Sequence, residues 1–374
     1  MYKMMTPGPT QVREDVMAAR SRVFPNPDLD EEFVEYYRDT CLLISELLHT
    51  KHEALILDGE GILGLEAACA SITEPGDRVL VLDNGIYGAG FQDFVSMYGG
   101  KPVLYTQSYE NPLDPEALGR YLEKDHDFKY ATVVHCDTPS GMLNDISSIC
   151  PLLKDYGILT VVDSVSGMFG EEVRVDDWKI DLLCGGSQKA VSAPPGLTFV
   201  TISEDAKRVM QERKTPIASF YANLKVFENY YEEKWFPYTM PASDIYGLRQ
   251  ALENIKADKD MLDRHARLAR LTRETLQSMG LKLYPKRGYS NTVTTFVVPE
   301  GWTAAEILKR MKDEHNILLA GSFGPYAGKL IRIGHMGTNA TPSDVQETLE
   351  ALQAVLRNKK DMDRWKSTIV PMHT

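Results

Sequence analysis

Over the first half of the chain, apolar residues come in short unbroken runs rather than at alternate positions. ALILD at 54–58, RVLVLD at 78–83, PVLYT at 102–106, YATVV at 130–134, ILTVVD at 158–163, IDLLC at 180–184 and LTFVTI at 197–202 lead into small or polar residues. Alternation marks a strand with one wet face. An unbroken β-branched run marks a strand covered on both faces, as in a mostly parallel sheet between helices. Helical stretches fit between some of these runs: GILGLEAACASIT, stopped by Pro75-Gly76, then DPEALGRYLEK and ISSICPLLKDYG. DEEFVEYYRDTCLLISELLHT, ahead of them all, reads as an amphipathic helix. The pattern predicts an α/β fold. In such sheets ligands lie beyond the carboxyl ends of the strands. Thr138, Asp163 and Lys189 fall there.

The character changes from about Asp258. A polar helix, KDMLDRHARLARLTRETLQSM, leads to the strand NTVTTFVVP. TAAEILKRMKDEH then opens with a capping box from Thr303 to Glu306. GKLIRIGHMG is a strand, and the last helix begins at Thr341-Pro342 with Val345, Leu349, Leu352 and Leu356 as its apolar stripe. Residues 1–25 mix Pro, Gly and charge and read as extended. The expected organisation is an N-terminal arm over 1–16, a large domain over 17–256, and a smaller α+β domain over 257–374.

Composition narrows the choice of partners. With 43% hydrophobic and 25% charged residues the chain reads as folded rather than disordered. A net charge of −12 argues against nucleic acid or an anionic membrane as the main partner. No apolar run approaches a bilayer span, and MYKMMTPGPT has no signal-like apolar core. Five cysteines without C-x-x-C pairs fit free thiols and a cytoplasmic location. No His/Cys cluster has metal-ligand spacing.

Several residues are candidates for chemistry. Lys189 stands in CGGSQKAVSAPPG, crowded by small residues and prolines. It is either a solvated loop lysine or a desolvated amine, its pKa lowered, that forms a Schiff base with a flat cofactor. Asp163 closes an apolar strand before SVSG. It either caps that turn or holds the protonated ring nitrogen of pyridoxal phosphate, which needs such an acid to act as an electron sink. One strand–helix unit separates the two, so both can reach one ring. In DGEGILGLEAA, free N–H groups at Gly61 and Ile62 would point at an anion; without a Walker lysine, a nucleotide is disfavoured. Tyr87 in DNGIYG either stacks on a ring or packs in its loop. His135 is a second stacker or a core histidine, the core reading being preferred. Arg332 lies inside the apolar strand KLIRIG, where leaving it unpaired is expensive. It needs an acidic neighbour or a substrate carboxylate.

Taken together and in order, TPGPT, GEGILGLEAA, EPGDRVLVLDNGIYG, HCDTPSG, VVDSVSG, GGSQKAVSAPPG, YTMP and RIGHMGTNAT resemble a class V aminotransferase of pyridoxal-phosphate fold type I. The likeness is to the alanine–glyoxylate / serine–pyruvate branch. It implies a seven-stranded, mostly parallel sheet and pyridoxal 5′-phosphate as cofactor. Lys189 would carry the cofactor and shuttle the proton. Asp163 would bind the ring nitrogen, Val165 and Tyr87 the ring faces, and Thr138 the ring hydroxyl. Glu60, Gly61, Ile62 and Gln188 would surround the phosphate, joined by Thr239 of the partner subunit in a homodimer. Arg332 would hold the substrate carboxylate and Gly8 would line the pocket. Three positions depart from the family pattern. Glu60 replaces a serine, Ile62 a commonly polar residue, and Phe236 a tyrosine that binds phosphate across the dimer. A carboxylate beside a phosphate must point away, leaving backbone N–H groups to hold the anion. The implied reaction is a ping-pong transfer from a small neutral amino acid, alanine or serine, to a 2-oxo acid such as glyoxylate or pyruvate. The alternatives are a lyase resembling cysteine desulfurase and a pyridoxal-phosphate-binding protein without turnover. All five cysteines precede Lys189, which disfavours the lyase.

Overall fold

The computed structural model describes residues 2–23 and 25–368, with side chains through 357; residues 369–374 of the expected C-terminal domain lie outside the described residues. The seven apolar runs form one sheet in the order Ala54–Asp58, Leu197–Ile202, Leu182–Gly186, Leu159–Asp163, Tyr130–Val134, Arg78–Asp83, Lys101–Thr106. All run parallel except Leu197–Ile202, which is antiparallel to both neighbours. Parallel strands need a long crossover, usually a helix. Between Gly186 and Leu197 there is no helix, only the loop bearing Lys189, so the chain folds straight back.

Helices cover the sheet and explain the unbroken apolar runs. Gly61–Ile72 crosses Leu182–Gly186 and Leu197–Ile202, while Ile86–Met97 packs on Arg78–Asp83. The strand Leu159–Asp163 is buried along its whole length. The core built around this sheet draws residues from Val16 to Met261, with Val293 and Met336.

A second apolar cluster gathers Met5 and residues from Leu268 to Val355. It sits on a three-stranded antiparallel sheet ordered Val293–Val297, Leu330–Gly334, Ala320–Gly321. Helices Met261–Ser278, Ala304–His315 and Pro342–Thr368 accompany it. Thr303 and Glu306 form the capping box that the sequence predicts.

The first 25 residues are not uniformly extended. Lys3–Met4 pairs in parallel with Ile317–Leu318. Glu14–Arg20 is a helix that buries Val16 and Ala19 against Ala242–Ala257, with Arg20 paired to Asp244. Acidic Glu14 and Asp15 at its start and Arg20 at its end complement the helix dipole. Among the described residues no helix is long and apolar enough to cross a membrane, and no group of His, Cys, Asp and Glu is gathered as for a metal ion.

Candidate active site

A cleft of about 310 Å³ opens at the carboxyl edge of the large sheet. Gly8, Glu60, Gly61, Ile62, Tyr87, Thr138, Asp163, Val165, Gln188 and Lys189 line it, so six separate segments converge on one place. Each comes from a strand end or from the arm.

Lys189 is held by the loop between the two antiparallel strands. Ser187 fixes that loop from inside: its Oγ donates to the Pro194 carbonyl at 2.6 Å, and its backbone N–H to that of Leu197 at 3.0 Å. The arm closes over the lysine. Lys189 Nζ donates to the Pro7 carbonyl at 2.7 Å, and Thr10 N–H donates to the Gln188 carbonyl at 3.0 Å. Gly8 is required at this approach: its φ is +96°, and a Cβ there would lie 2.4 Å from Lys189 Cδ. Burial, then the charge of Arg332, lowers the lysine pKa to about 8. Half-buried and tied to the Pro7 carbonyl, Lys189 is not free in solvent in this loop.

Asp163 ends its strand fully enclosed, and burial raises its pKa to about 7. The Val165 N–H donates to its Oδ1 at 2.9 Å, so it also caps the turn. The turn-capping reading of this aspartate holds, and its carboxyl also lines the cleft. Tyr87 lies in the first turn of Ile86–Met97 rather than in a loop, its N–H donating to Asp137 at 3.3 Å. His135 faces away from the cleft. It is buried with Nδ1 at 2.9 Å from Ser164 Oγ, and burial lowers its pKa to about 4, so it is a neutral core histidine.

At the other end of the cleft the structure corrects the sequence reading. Glu60 does not point away. It caps the helix Gly61–Ile72, its Oε1 accepting from the Ile62 N–H at 3.1 Å and its Oε2 from Gln188 Nε2 at 2.7 Å. The Ile62 N–H expected to face an anion is thus already taken. Gly59, Gly61 and Gly64 also have the G-x-G-x-x-G spacing of a dinucleotide turn. Here the third glycine serves packing, since a Cβ on it would meet Thr198 Oγ1 at 2.3 Å. The helix start is closed by a carboxylate.

Two predicted residues lie outside the cleft lining. Thr239 is exposed and donates to Asp28 at 2.8 Å. Arg332 is half-buried on Leu330–Gly334; its Nε donates to the Gly321 carbonyl at 2.8 Å, and no carboxylate pairs with it among the described residues. Its guanidinium lies 5.6 Å from the Phe323 ring centre, and that ring meets Tyr87 edge-on at 6.1 Å. Phe236 is buried in its own chain's aromatic core, against Phe33, Tyr37 and Tyr230.

Asp137 and Phe323 were not foreseen. Asp137 is buried, accepts from Ser140 Oγ at 2.5 Å, and its pKa is raised by burial. It stands next to Thr138 at a strand's polar end, a signal that was there to use. Phe323 is exposed in the loop between Ala320–Gly321 and Leu330–Gly334, and no sequence pattern places it beside Tyr87.

The family model for aminotransferase class-V matches residues 7–347. The chain is 32% identical to a pyridoxamine–pyruvate transaminase of Mesorhizobium japonicum, over 93% of this chain and 90% of that one. It is 30% identical to an alanine–glyoxylate aminotransferase of Felis catus, over 95% and 87%. The solved structure of the ureidoglycine–glyoxylate aminotransferase of Bacillus subtilis superposes with a TM-score of 0.92 at 30% identity, covering 96% of this chain and 93% of that one. The chain therefore belongs to the class V aminotransferases, a pyridoxal-phosphate-dependent family.

Proposed function

We propose that this transaminase moves the amino group of a small neutral amino acid, alanine or serine, to a 2-oxo acid such as glyoxylate or pyruvate in a ping-pong cycle. The observation that carries the reading is a half-buried Lys189 and a buried Asp163 in one cleft, with the amine lowered to about 8 and the acid raised to about 7. Perturbed groups of opposite sign in one cleft mark acid–base chemistry.

The ring end of the cleft suits a pyridoxal group. Asp163 would face the ring nitrogen, Val165 and Tyr87 the two faces, and Thr138 the ring hydroxyl. Bound there, the group supplies the electron sink that eases loss of the substrate Cα proton. Lys189 would take that proton and return it one carbon away, acting as base and then acid. The Pro7 carbonyl and Gly8 fix where its Nζ starts. Arg332 would hold the carboxylate that donor and acceptor share. Thr239 of the partner subunit would complete the site in a homodimer.

The lyase reading needs a reactive thiol. All five cysteines are buried. Burial pushes the thiol of Cys136, which lines the cleft, up to about 12. None of them lies beyond Lys189. A second donor is kept in play by Glu60: a relative is named for pyridoxamine, and a carboxylate at this helix start suits a ring without phosphate.

The test is absorption of the protein loaded with pyridoxal phosphate. L-alanine is expected to move a band near roughly 410–430 nm to about 330 nm, and glyoxylate or pyruvate to move it back. Alanine should give a higher kcat/KM than glutamate, because no arginine among the described residues lines the cleft to take an acidic side chain, and Arg332 is assigned to the shared carboxylate. A preference for glutamate would overturn the small-donor reading. Arg332→Ala should raise KM for alanine and pyruvate by about 10- to 100-fold, the worth of a charge-assisted pair.

A further inference from the structure

We propose that Glu60 sets which form of the ring the cleft accepts: it favours unphosphorylated pyridoxal and pyridoxamine over their phosphate esters. This rests on the transaminase reading of the cleft and names the substrate class at its far end.

Three observations converge there. First, the Glu60 carboxylate already satisfies the Ile62 N–H at 3.1 Å and the Gln188 amide at 2.7 Å, two of the donors a phosphate would use. Second, Gln188, which lines the same cleft, carries a buried Oε1 without a hydrogen-bond partner. The amide orientation is fixed, since the reverse would set oxygen against the Glu60 carboxylate. A buried acceptor calls for a donor. A 5′-hydroxyl supplies one, whereas a phosphate dianion offers only more acceptors. Third, among the described lining residues Lys189 is the only cation, and its Nζ is turned to the Pro7 carbonyl. Phe236 is buried in its own chain and adds no phosphate donor to a partner's site. A hydroxymethyl group therefore finds acceptors at Glu60 and Gln188. A phosphate finds a like charge and, among the described lining residues of this chain, no cation besides Lys189, and specificity of this kind arises from such a repulsive element.

A ring without a phosphate anchor is free to leave after each half-reaction. It can then be a substrate rather than a resident group. Pyridoxamine and a 2-oxo acid give pyridoxal and an amino acid. The C–N bond to the pyridoxamine methylene breaks, and a C–N bond forms at the oxo carbon. Two electrons and a proton pass from that methylene to the same carbon, and the keto oxygen is exchanged through water for the aldehyde oxygen. No other oxidant or reductant is needed.

The test is titration of the full-length protein, stripped of any bound ring, with pyridoxal and separately with pyridoxal phosphate. Wild type, Glu60→Ser and Glu60→Gln are compared by calorimetry and by the visible band of lysine-bound aldehyde. Serine still caps a helix, so the fold is kept. Wild type should bind pyridoxal at least about tenfold more tightly than pyridoxal phosphate, as like-charge juxtaposition dictates. Glu60→Ser and Glu60→Gln should tighten pyridoxal phosphate by at least about tenfold without tightening pyridoxal. If wild type prefers pyridoxal phosphate and neither variant changes that affinity, the proposal is overturned. Calorimetric selectivity without a visible band would uphold selection by Glu60 and sink the transaminase reading instead.

Discussion

Lys189→Ala is expected to fold and yet to transaminate at least about 10³-fold more slowly, since it removes both the nucleophile and the proton carrier. The fold should survive because the arm does not depend on the lysine side chain. Thr10 keeps its N–H on the Gln188 carbonyl at 3.0 Å and its hydroxyl on the backbone carbonyl of residue 189, also at 3.0 Å. What is lost is the amine at the floor of the cleft. Its reactivity carries a pH signature. Burial lowers the pKa to about 8, so the free base dominates above that pH and falls about tenfold per unit below it. Capture of added pyridoxal by the wild type should rise with pH and level off above about 8. A single-turnover experiment with alanine, stopped-flow capture of pyridoxal and a thermal melt check these points. Normal turnover by a well-folded Lys189→Ala would overturn the assignment of the cleft. A capture rate still climbing at pH 10 would mean that the lysine is solvated.

The sequence states the sheet clearly because burial on both faces leaves a plain mark. Runs such as RVLVLD and LTVVD have no polar position to spare, and they became the central strands. Asp163 and Lys189 were legible for the same reason, as polar residues at the ends of such runs. What was hidden depends on contacts between distant segments. The helix Glu14–Arg20 has only Val16 and Ala19 to bury, too few to show a period, and it exists because Ala242–Ala257 lies beside it. Leu197–Ile202 reads like its parallel neighbours; its reversal follows from the missing crossover. Glu60 was visible as an oddity, but its direction was not. Helix capping and the Gln188 amide decide that, and both are local geometry. Phe323 meets Tyr87 from a segment more than two hundred residues away, which no linear pattern encodes.

Asp163→Asn is expected to make the ring-free protein more stable at high pH while cutting transamination by at least about 10²-fold, the usual scale for removing one preorganised electrostatic group. The two effects have one cause. Asp163 is enclosed, and burial raises its pKa from 3.8 to about 7. Between those values the folded protein holds a proton that the unfolded chain has lost, so wild-type stability falls as pH rises through that window. Above about pH 7 the fold carries a desolvated carboxylate at a cost of about 4 kcal/mol, three pKa units at 1.36 each. That cost already includes the favourable charge of Lys189, which is lost as the amine deprotonates near pH 8. Asparagine has the same shape and no charge, and its oxygen can still accept from the Val165 N–H at 2.9 Å. The variant should therefore melt several degrees above wild type at pH 8.5 and within a degree or so of it at pH 4.5. Without the carboxylate, nothing holds a proton on the ring nitrogen, and the electron sink is weakened. Melts at the two pH values, together with the single-turnover rate, test both halves. Equal melting temperatures at pH 8.5 would show that the carboxylate is comfortable where it sits. Undiminished turnover would show that its partner is the Val165 turn alone. If both halves hold, the residue at the end of LTVVD is a charge that the fold tolerates for the sake of a ring that needs it.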